Sequence, residues 1–150
     1  MQISAETNLL DEVGVEQIVH MFDLLPDTLF WIKNKSGQII YANQRMIETV
    51  GQHCLDKLYG KTDMDFYPPH IAKQYMMDDE KVMKGELITN RIELNFTPSG
   101  DFAWFSTTKR PLVDSNSQII GSYGFTKFLE ETSNELSTVS AIKGPVDFIR

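Results

Sequence analysis

The chain contains one cysteine, Cys54, in 150 residues. No internal disulfide can form, and a Cys-x-x-Cys metal knuckle or thiol redox pair is excluded. Histidine is almost as scarce, with only the scattered His20, His53 and His70. No apolar run approaches the roughly 20 residues of a membrane-spanning helix. Residues 1–10 lack the basic and apolar regions of a secretory leader. These absences point to a cytoplasmic chain without a membrane partner. Positive charge is in deficit as well. Lys and Arg number 14 against 21 Asp and Glu, a formal charge of −7. Direct nucleic-acid binding by this segment is therefore not expected, because phosphate recognition needs clustered cations. No internal repeat or low-complexity stretch is present. No Ser/His/Asp, paired-carboxylate or phosphate-loop constellation stands out, so the chain is not read as an enzyme.

What remains fits one domain with a full hydrophobic core. The strongest pattern runs from Ile88 to Phe128. Ile88, Asn90, Ile92, Leu94 and Phe96 alternate with Thr89, Arg91, Glu93, Asn95 and Thr97, the period of a strand. Pro98-Ser99-Gly100 supplies a turn, and Phe102 to Leu112 a second strand. Asp114-Ser115-Asn116-Ser117 breaks the chain before a third strand, Ile119 to Phe128. Its Gly121 and Gly124 mark a bulge or a close backbone approach. Upstream, Leu29–Asn34 and Gln38–Ala42 flank Lys35-Ser36-Gly37 as a hairpin. Val15, Ile18, Val19, Phe22 and Leu25 follow helical spacing and stop at Pro26. Asn43 is a helix N-cap ahead of Met46, Ile47 and Val50, and Gly51 ends that helix. Pro68-Pro69 starts a helix through Ile71, Ala72 and Tyr75. Asp78 or Asp79 caps a further one containing Val82 and Met83, closed by Gly85. A polar helix is expected over 130–142. The order predicts an α+β fold: a five-stranded antiparallel sheet with short helices across one face and flanking N- and C-terminal helices.

Several segments in this order resemble the PAS domain family. They are Leu25-Pro26-Asp27, Gly37-Gln38-Ile39-Ile40-Tyr41-Ala42-Asn43, the run Gly60 to Pro68, Pro98-Ser99-Gly100, Trp104 through Asp114, and Ile120 to Phe125. The resemblance implies a flanking helix over 1–24, a PAS domain over 25–128, and an exit helix or linker over 129–150 leading to an output domain. It implies a sensory module of a transcription regulator, LuxR-type for example, or of a histidine kinase. Fold alone does not settle function. A constitutive dimerisation module with no ligand and a haem or flavin redox sensor are the alternatives. The Asp-x-Thr that often closes the last strand of this family is replaced here by Thr126-Lys127-Phe128.

Haem and flavin are not expected as cofactors. In the family alignment the reactive cysteine of flavin photosensors falls on Asp63, and the flavin-contacting amide set falls on Asn95, Phe105 and Thr126. The helix before the strand meander carries no histidine for haem. Cys54 reads as a small, partly buried residue, and Asp63 and Asp65 as caps of backbone amides.

The same alignment places Trp31, Lys33, Arg91, Glu93, Asn95, Phe105, Thr107, Ser122 and Thr126 on the helix-covered face. Lys109 lies toward its rim, and Tyr67 and Ile71 come from the helical side. These are the pocket candidates. Either Arg91 and Glu93 pair internally, or a small polar or anionic ligand completes them, with Arg91 as the anion-binding group. Phe30, Ile32, Ile92, Leu94, Phe96, Trp104, Tyr123 and Phe125 fall on the outer face. At about 25 cal/mol per Å² such a face does not stay in water. A homodimer closed over Val15, Ile18, Val19, Phe22, Ile92, Leu94, Trp104 and Phe125 is the simplest cover.

Overall fold

Both short hairpin turns are built by an acceptor side chain at the strand end. After strand β1 (Thr28–Asn34), Asn34 Oδ1 accepts the amides of Ser36 and Gln38 at 3.1 and 2.9 Å. Gly37 takes φ of +80°, and the chain returns as β2 (Ile39–Ala42). The Asp114 carboxylate repeats the device, accepting from Asn116 and Gln118 at 2.8 and 2.9 Å. It joins β4 (Phe102–Val113) to β5 (Ile119–Leu129). Such local acceptors replace the ladder bonds that a turn removes.

The computed structural model describes residues 9–96, 102–129 and 147–148. The expected turn at Pro98-Ser99-Gly100 and the helix over 130–142 lie outside them. The sheet order is β2-β1-β5-β4-β3, with β3 spanning Ile88–Phe96 and all four pairings antiparallel. The β1–β5 pairing, from Thr28 opposite Lys127 to Asn34 opposite Gly121, joins the hairpin to the meander. A two-residue strand β6 (Asp147–Phe148) adds in parallel to the outer edge of β3, which the sequence did not suggest.

Strand β3 departs from the unbroken alternation. Ile88 pairs with Lys109 but Arg91 pairs with Thr107, so one extra residue is accommodated between them. Asn90 absorbs it at φ of +48°, its amide donating to Thr108 Oγ1 at 3.1 Å. The bulge puts Ile88 and Arg91 on the same face. Gly121 and Gly124 are sites of close approach, as the sequence suggested. A Cβ at Gly124 would stand 2.8 Å from both the Thr108 carbonyl and the Trp31 ring. A register shift also lies between Leu112 and Val113, opposite Gly121 and Ile119.

At the N-terminal end, helices α1 (Leu9–Glu12) and α2 (Val15–His20) lead into a 3-10 turn, Met21–Leu24. Phe22 stacks on Phe30 with ring centroids 3.8 Å apart, covering one end of the outer sheet face. Across the inner face lie α3 (Gln44–Thr49), two 3-10 turns, and α4 (Pro69–Met83). Helix α4 is continuous. Asp78 and Asp79 are interior residues of it, not caps of a second helix. Leu129, expected to begin the exit helix, is the buried last residue of β5. Cys54 is exposed rather than partly buried. The apolar core forms where α3 meets β1 and β2, around Trp31, Ile39, Ala42, Met46, Ile47 and Leu58.

One fully buried amide ties four segments together. Asn43 Oδ1 accepts the amides of Met46, as a helix cap, and of Phe30, each at 3.0 Å. Its Nδ2 donates to the carbonyls of Phe22 at 3.0 Å and Thr28 at 2.8 Å. Asn43→Ala is expected to lower the unfolding free energy by about 2–4 kcal/mol, since the cap is lost and buried partners are orphaned. Asn43→Asp keeps the acceptor and loses both donors, so it should fall between the two. Urea denaturation of the three proteins checks the order.

Candidate functional site

Helix α4 meets the sheet through charge as well as apolar packing. Ile71, Ala72, Tyr75 and Val82 recur at helical spacing, and Asp78 and Asp79 lie on the same stripe. Ile71, Ala72, Val82 and both carboxylates are buried. An unpaired buried carboxylate would be costly, so cations from the sheet must meet them.

Three do. On β1, Lys33 Nζ lies 2.6 Å from Asp63 Oδ2 and 2.8 Å from Asp79 Oδ2. On β4, Lys109 Nζ lies 3.2 Å from Asp79 Oδ1 and 3.9 Å from Asp78 Oδ2. Its ammonium also sits 5.8 Å from the Trp31 ring centroid and 5.5 Å from that of Tyr75, within cation–π range. On β3, Arg91 spans Asp78 and Glu93. Its Nη2 is 2.6 Å from a carboxylate oxygen of each, and Nη1 and Nε add contacts of 3.3 and 2.8 Å. Thr107 donates to Glu93 Oε2 at 3.0 Å and shares a 2.9 Å hydrogen bond with Thr126. Asp63 therefore does not act as a backbone cap. Asp65 does, closing a capping box with Thr62.

The electrostatics are consistent with full pairing. Burial alone would lower the Lys33 pKa, but the adjacent Asp63 and Asp79 carboxylates reverse this and hold it above its ordinary 10.5. Arg91 is raised in the same way, burial being outweighed by Asp78 and Glu93. Burial, then the charge of Asp63, pushes the Tyr67 hydroxyl up, so it stays a neutral phenol.

Beside this network a cavity of about 1380 Å³ opens between sheet and helices. Of the pocket candidates, Trp31, Lys33, Tyr67, Ile71, Glu93, Phe105, Thr107 and Thr126 line it. Arg91 and Ser122 do not. The guanidinium of Arg91 is already neutralised by two carboxylates, which removes the basis for treating it as an anion-binding group. The Ser122 hydroxyl is buried without a hydrogen-bond partner among the described residues. Asn95 pairs with Ala103 through the β3–β4 ladder. The wall also contains Asp63, His70, Tyr75 and Lys109, of which only Lys109 was placed on this face from sequence. The missed signal was the spacing of Asp78 and Asp79 with Ile71, Tyr75 and Val82, which buries two carboxylates. Among the described residues no group of three or more His, Cys, Asp or Glu is arranged to hold a metal ion.

Of the residues expected on the outer face, Ile92, Leu94 and Trp104 are half-buried and Phe125 is 38% exposed, and Leu94 and Trp104 also border the cavity. Val15 and Ile18 of α2 project into solvent, while Val19 and Phe22 are half-buried. The Val19 carbonyl accepts from the Tyr41 hydroxyl at 2.8 Å.

Residues 22–132 match the family model described as the PAS fold, so the chain belongs to that family. It is a PAS sensory domain, of a fold used by sensory and regulatory proteins rather than enzymes. More particularly, it is similar to VqmA. The Vibrio cholerae VqmA–ligand–DNA complex superposes with a TM-score of 0.68 at 22% identity, covering 91% of this chain and 63% of that one. The Vibrio cholerae VqmA dimer without target DNA, described among LuxR-type receptors, gives 0.68 at 27% identity, covering 81% and 53%. A phage VqmA–DPO complex gives 0.66 at 24% identity, covering 87% and 60%. The chain thus spans just over half of the length of these proteins. No curated protein matches it. No helix among the described residues is long and apolar enough to cross a membrane.

The network makes a stability prediction. Lys33→Met leaves Asp63 without its cation and should cost about 3–5 kcal/mol. The Lys33 pKa is higher folded than unfolded, so its contribution is fully present below 10.5 and is lost as pH rises through the folded value. The wild-type advantage over Lys33→Met should therefore stay level from about pH 7 to 9.5 and narrow only above that. Denaturant titrations across this range measure it.

Proposed function

We propose that the chain is the sensory part of a longer, dimeric regulator. It takes a small molecule into the cavity between sheet and α4 and passes the occupancy to an output domain. The observation that carries this reading is the cavity itself, walled by aromatic rings from Trp31, Phe66, Tyr67 and Phe105 with Thr107, Thr126 and the buried ion pairs on one side. Pockets of this kind, mostly apolar with a few convergent polar groups, are the usual form of small-molecule sites. The VqmA structures, bound to DPO or to ligand and DNA, support the assignment by likeness. Strand β3 offers a route outward. Glu93 lies in the cavity wall, and its backbone pairs with Asp147 of β6. The ligand is not flavin in this reading; the expectation that the helix before the meander carries no histidine is corrected by α4, which holds His70 in the cavity wall. In the family alignment the flavin cysteine position holds Asp63, whose carboxylate is engaged by Lys33.

A ligand that binds only the folded chain raises its apparent stability. DPO and a panel of small uncharged metabolites should include compounds that raise Tm. Val50→Trp, which places an indole in the cavity wall, should abolish the shift while keeping the fold by circular dichroism. The closed ion-pair network also fits the second reading, a dimerisation module with no ligand. In that case no compound shifts Tm.

The half-buried outer face supports a second copy as its cover. Sedimentation at roughly 20 µM should show a dimer. Trp104→Glu combined with Phe125→Glu should give a monomer, and a double mutant that still dimerises as tightly as the parent would remove this interface.

A further inference from the structure

The two edges of the sheet are finished differently. At the β2 edge, the Ile39 amide donates to the Lys61 carbonyl and the Gly60 amide to the Ile39 carbonyl, each at 2.8 Å. The loop before Asp63 therefore closes that edge against further strand pairing. The β3 edge is blunted at its start by the bulge at Asn90. From Arg91 to Phe96 the strand pairs residue for residue with Thr107 to Phe102, so its other side offers a straight row of main-chain donors and acceptors. Strand β6 occupies the middle of that row, with Asp147 opposite Glu93 and Phe148 opposite Leu94.

A short connection does not impose this pairing. Leu129, the last residue of β5, pairs with Trp104, Trp104 with Leu94, and Leu94 with Phe148. The end of β5 and β6 thus lie at one level of the sheet, three strand spacings or about 14 Å apart. Fully extended, residues 130–146 would reach about 55 Å, so chain length alone leaves β6 many other places to sit. Bringing it to the β3 edge costs loop-closure entropy. Two residues of parallel pairing set only a few main-chain hydrogen bonds against that cost. Opposed terms this small leave docked and undocked states close in free energy, and a modest change in β3 moves the balance.

That change has a source. Glu93 and Leu94, the residues on which β6 pairs, both line the cavity. The Glu93 carboxylate is held by Arg91 and Thr107, and Arg91 reaches on to Asp78 of α4. A molecule filling the cavity packs against β3 from its inner side and orders the edge on which β6 must pair. Resting on the reading that the cavity takes a small molecule, we propose that the β3 edge is a docking strand for the segment carrying Asp147 and Phe148, and that an occupied cavity strengthens the docking. In a longer regulator the docked strand fixes where the output domain begins. By linkage, docking tightens binding in the cavity by the same factor.

Amide hydrogen exchange of the whole chain, read residue by residue by NMR, tests this. Amides of β3 that point away from β4 exchange freely at a bare edge. Docking predicts that at least one of them, at Glu93, Leu94 or Asn95, is protected about tenfold or more in the wild type. Replacing Asp147 and Phe148 together by proline removes both their amide donors and should abolish that protection, with the other strand pairings unchanged. Equal protection in wild type and variant would overturn the docking. In a mixture of 15N-labelled and 13C-labelled chains, the Leu94–Phe148 contact should arise within one chain, and a contact found only between chains would overturn this occupant in favour of a second copy. DPO, at a concentration that raises Tm, should increase the wild-type protection at that amide about threefold or more. A raised Tm with protection unmoved would overturn the link to the cavity and leave the ligand site standing. If neither DPO nor the uncharged panel shifts Tm, the ligand reading fails and the link falls with it, while the proline variant still decides the docking.

Discussion

The pairing of buried carboxylates on α4 with cations on the sheet is the constraint on which the architecture rests. Asp78 and Asp79 cannot face the sheet unless Lys33, Lys109 and Arg91 arrive from three separate strands. Each such pair is weak evidence for net stability, because desolvation offsets the Coulomb gain. What it supplies is position. Sliding or rotating α4 by one residue would strand charges in a low-dielectric interior. The register of the helix over β1, β3 and β4 is thereby held more tightly than apolar packing alone would hold it.

This arrangement explains why the core is lopsided. Apolar packing concentrates at the α3 end, around Trp31, Ile39, Met46 and Leu58. At the α4 end the sheet face is given over to ion pairs and hydroxyls, which cannot be filled in with methyl groups. Between the two ends the layers are held apart, and the cavity occupies the gap. Space for a small molecule is a consequence of mixing an apolar and an ionic interface under one set of helices. Gly124 contributes by leaving room for the Trp31 ring, which also meets the Lys109 ammonium.

The outer face shows the converse distribution. Phe30 and Tyr41 are buried beneath α2 and the turn that follows, with Phe22 stacked on Phe30. Farther along, Trp104 and Phe125 have no such cover from the described residues. A domain whose inner face is charged and whose outer face is apolar can join sensing and association without one interfering with the other.

Much of the fold was legible in the sequence because its causes are local. The hairpin at Gly37, the cap at Asn43, the helix end at Gly51 and the strand period of β3 to β5 are set by neighbours a few residues apart. The order of elements followed from them, and the resemblance to the PAS family placed Lys33, Glu93, Thr107 and Thr126 on the helix-covered face. The bulge at Asn90 escaped because alternation of residue types continues through it, and only the partner strand reveals the extra residue. Asp63, Asp78 and Asp79 were read as caps because acidic residues near helix starts usually are. What made them buried acceptors was the approach of Lys33, which is 30 residues from Asp63 and 46 from Asp79. The sequence by itself determined the strands, turns and caps, since these depend on short-range sterics and hydrogen bonds. Only the tertiary structure decided which charges neutralise one another. Coulomb pairing depends on distance in space, and separation along the chain does not encode it.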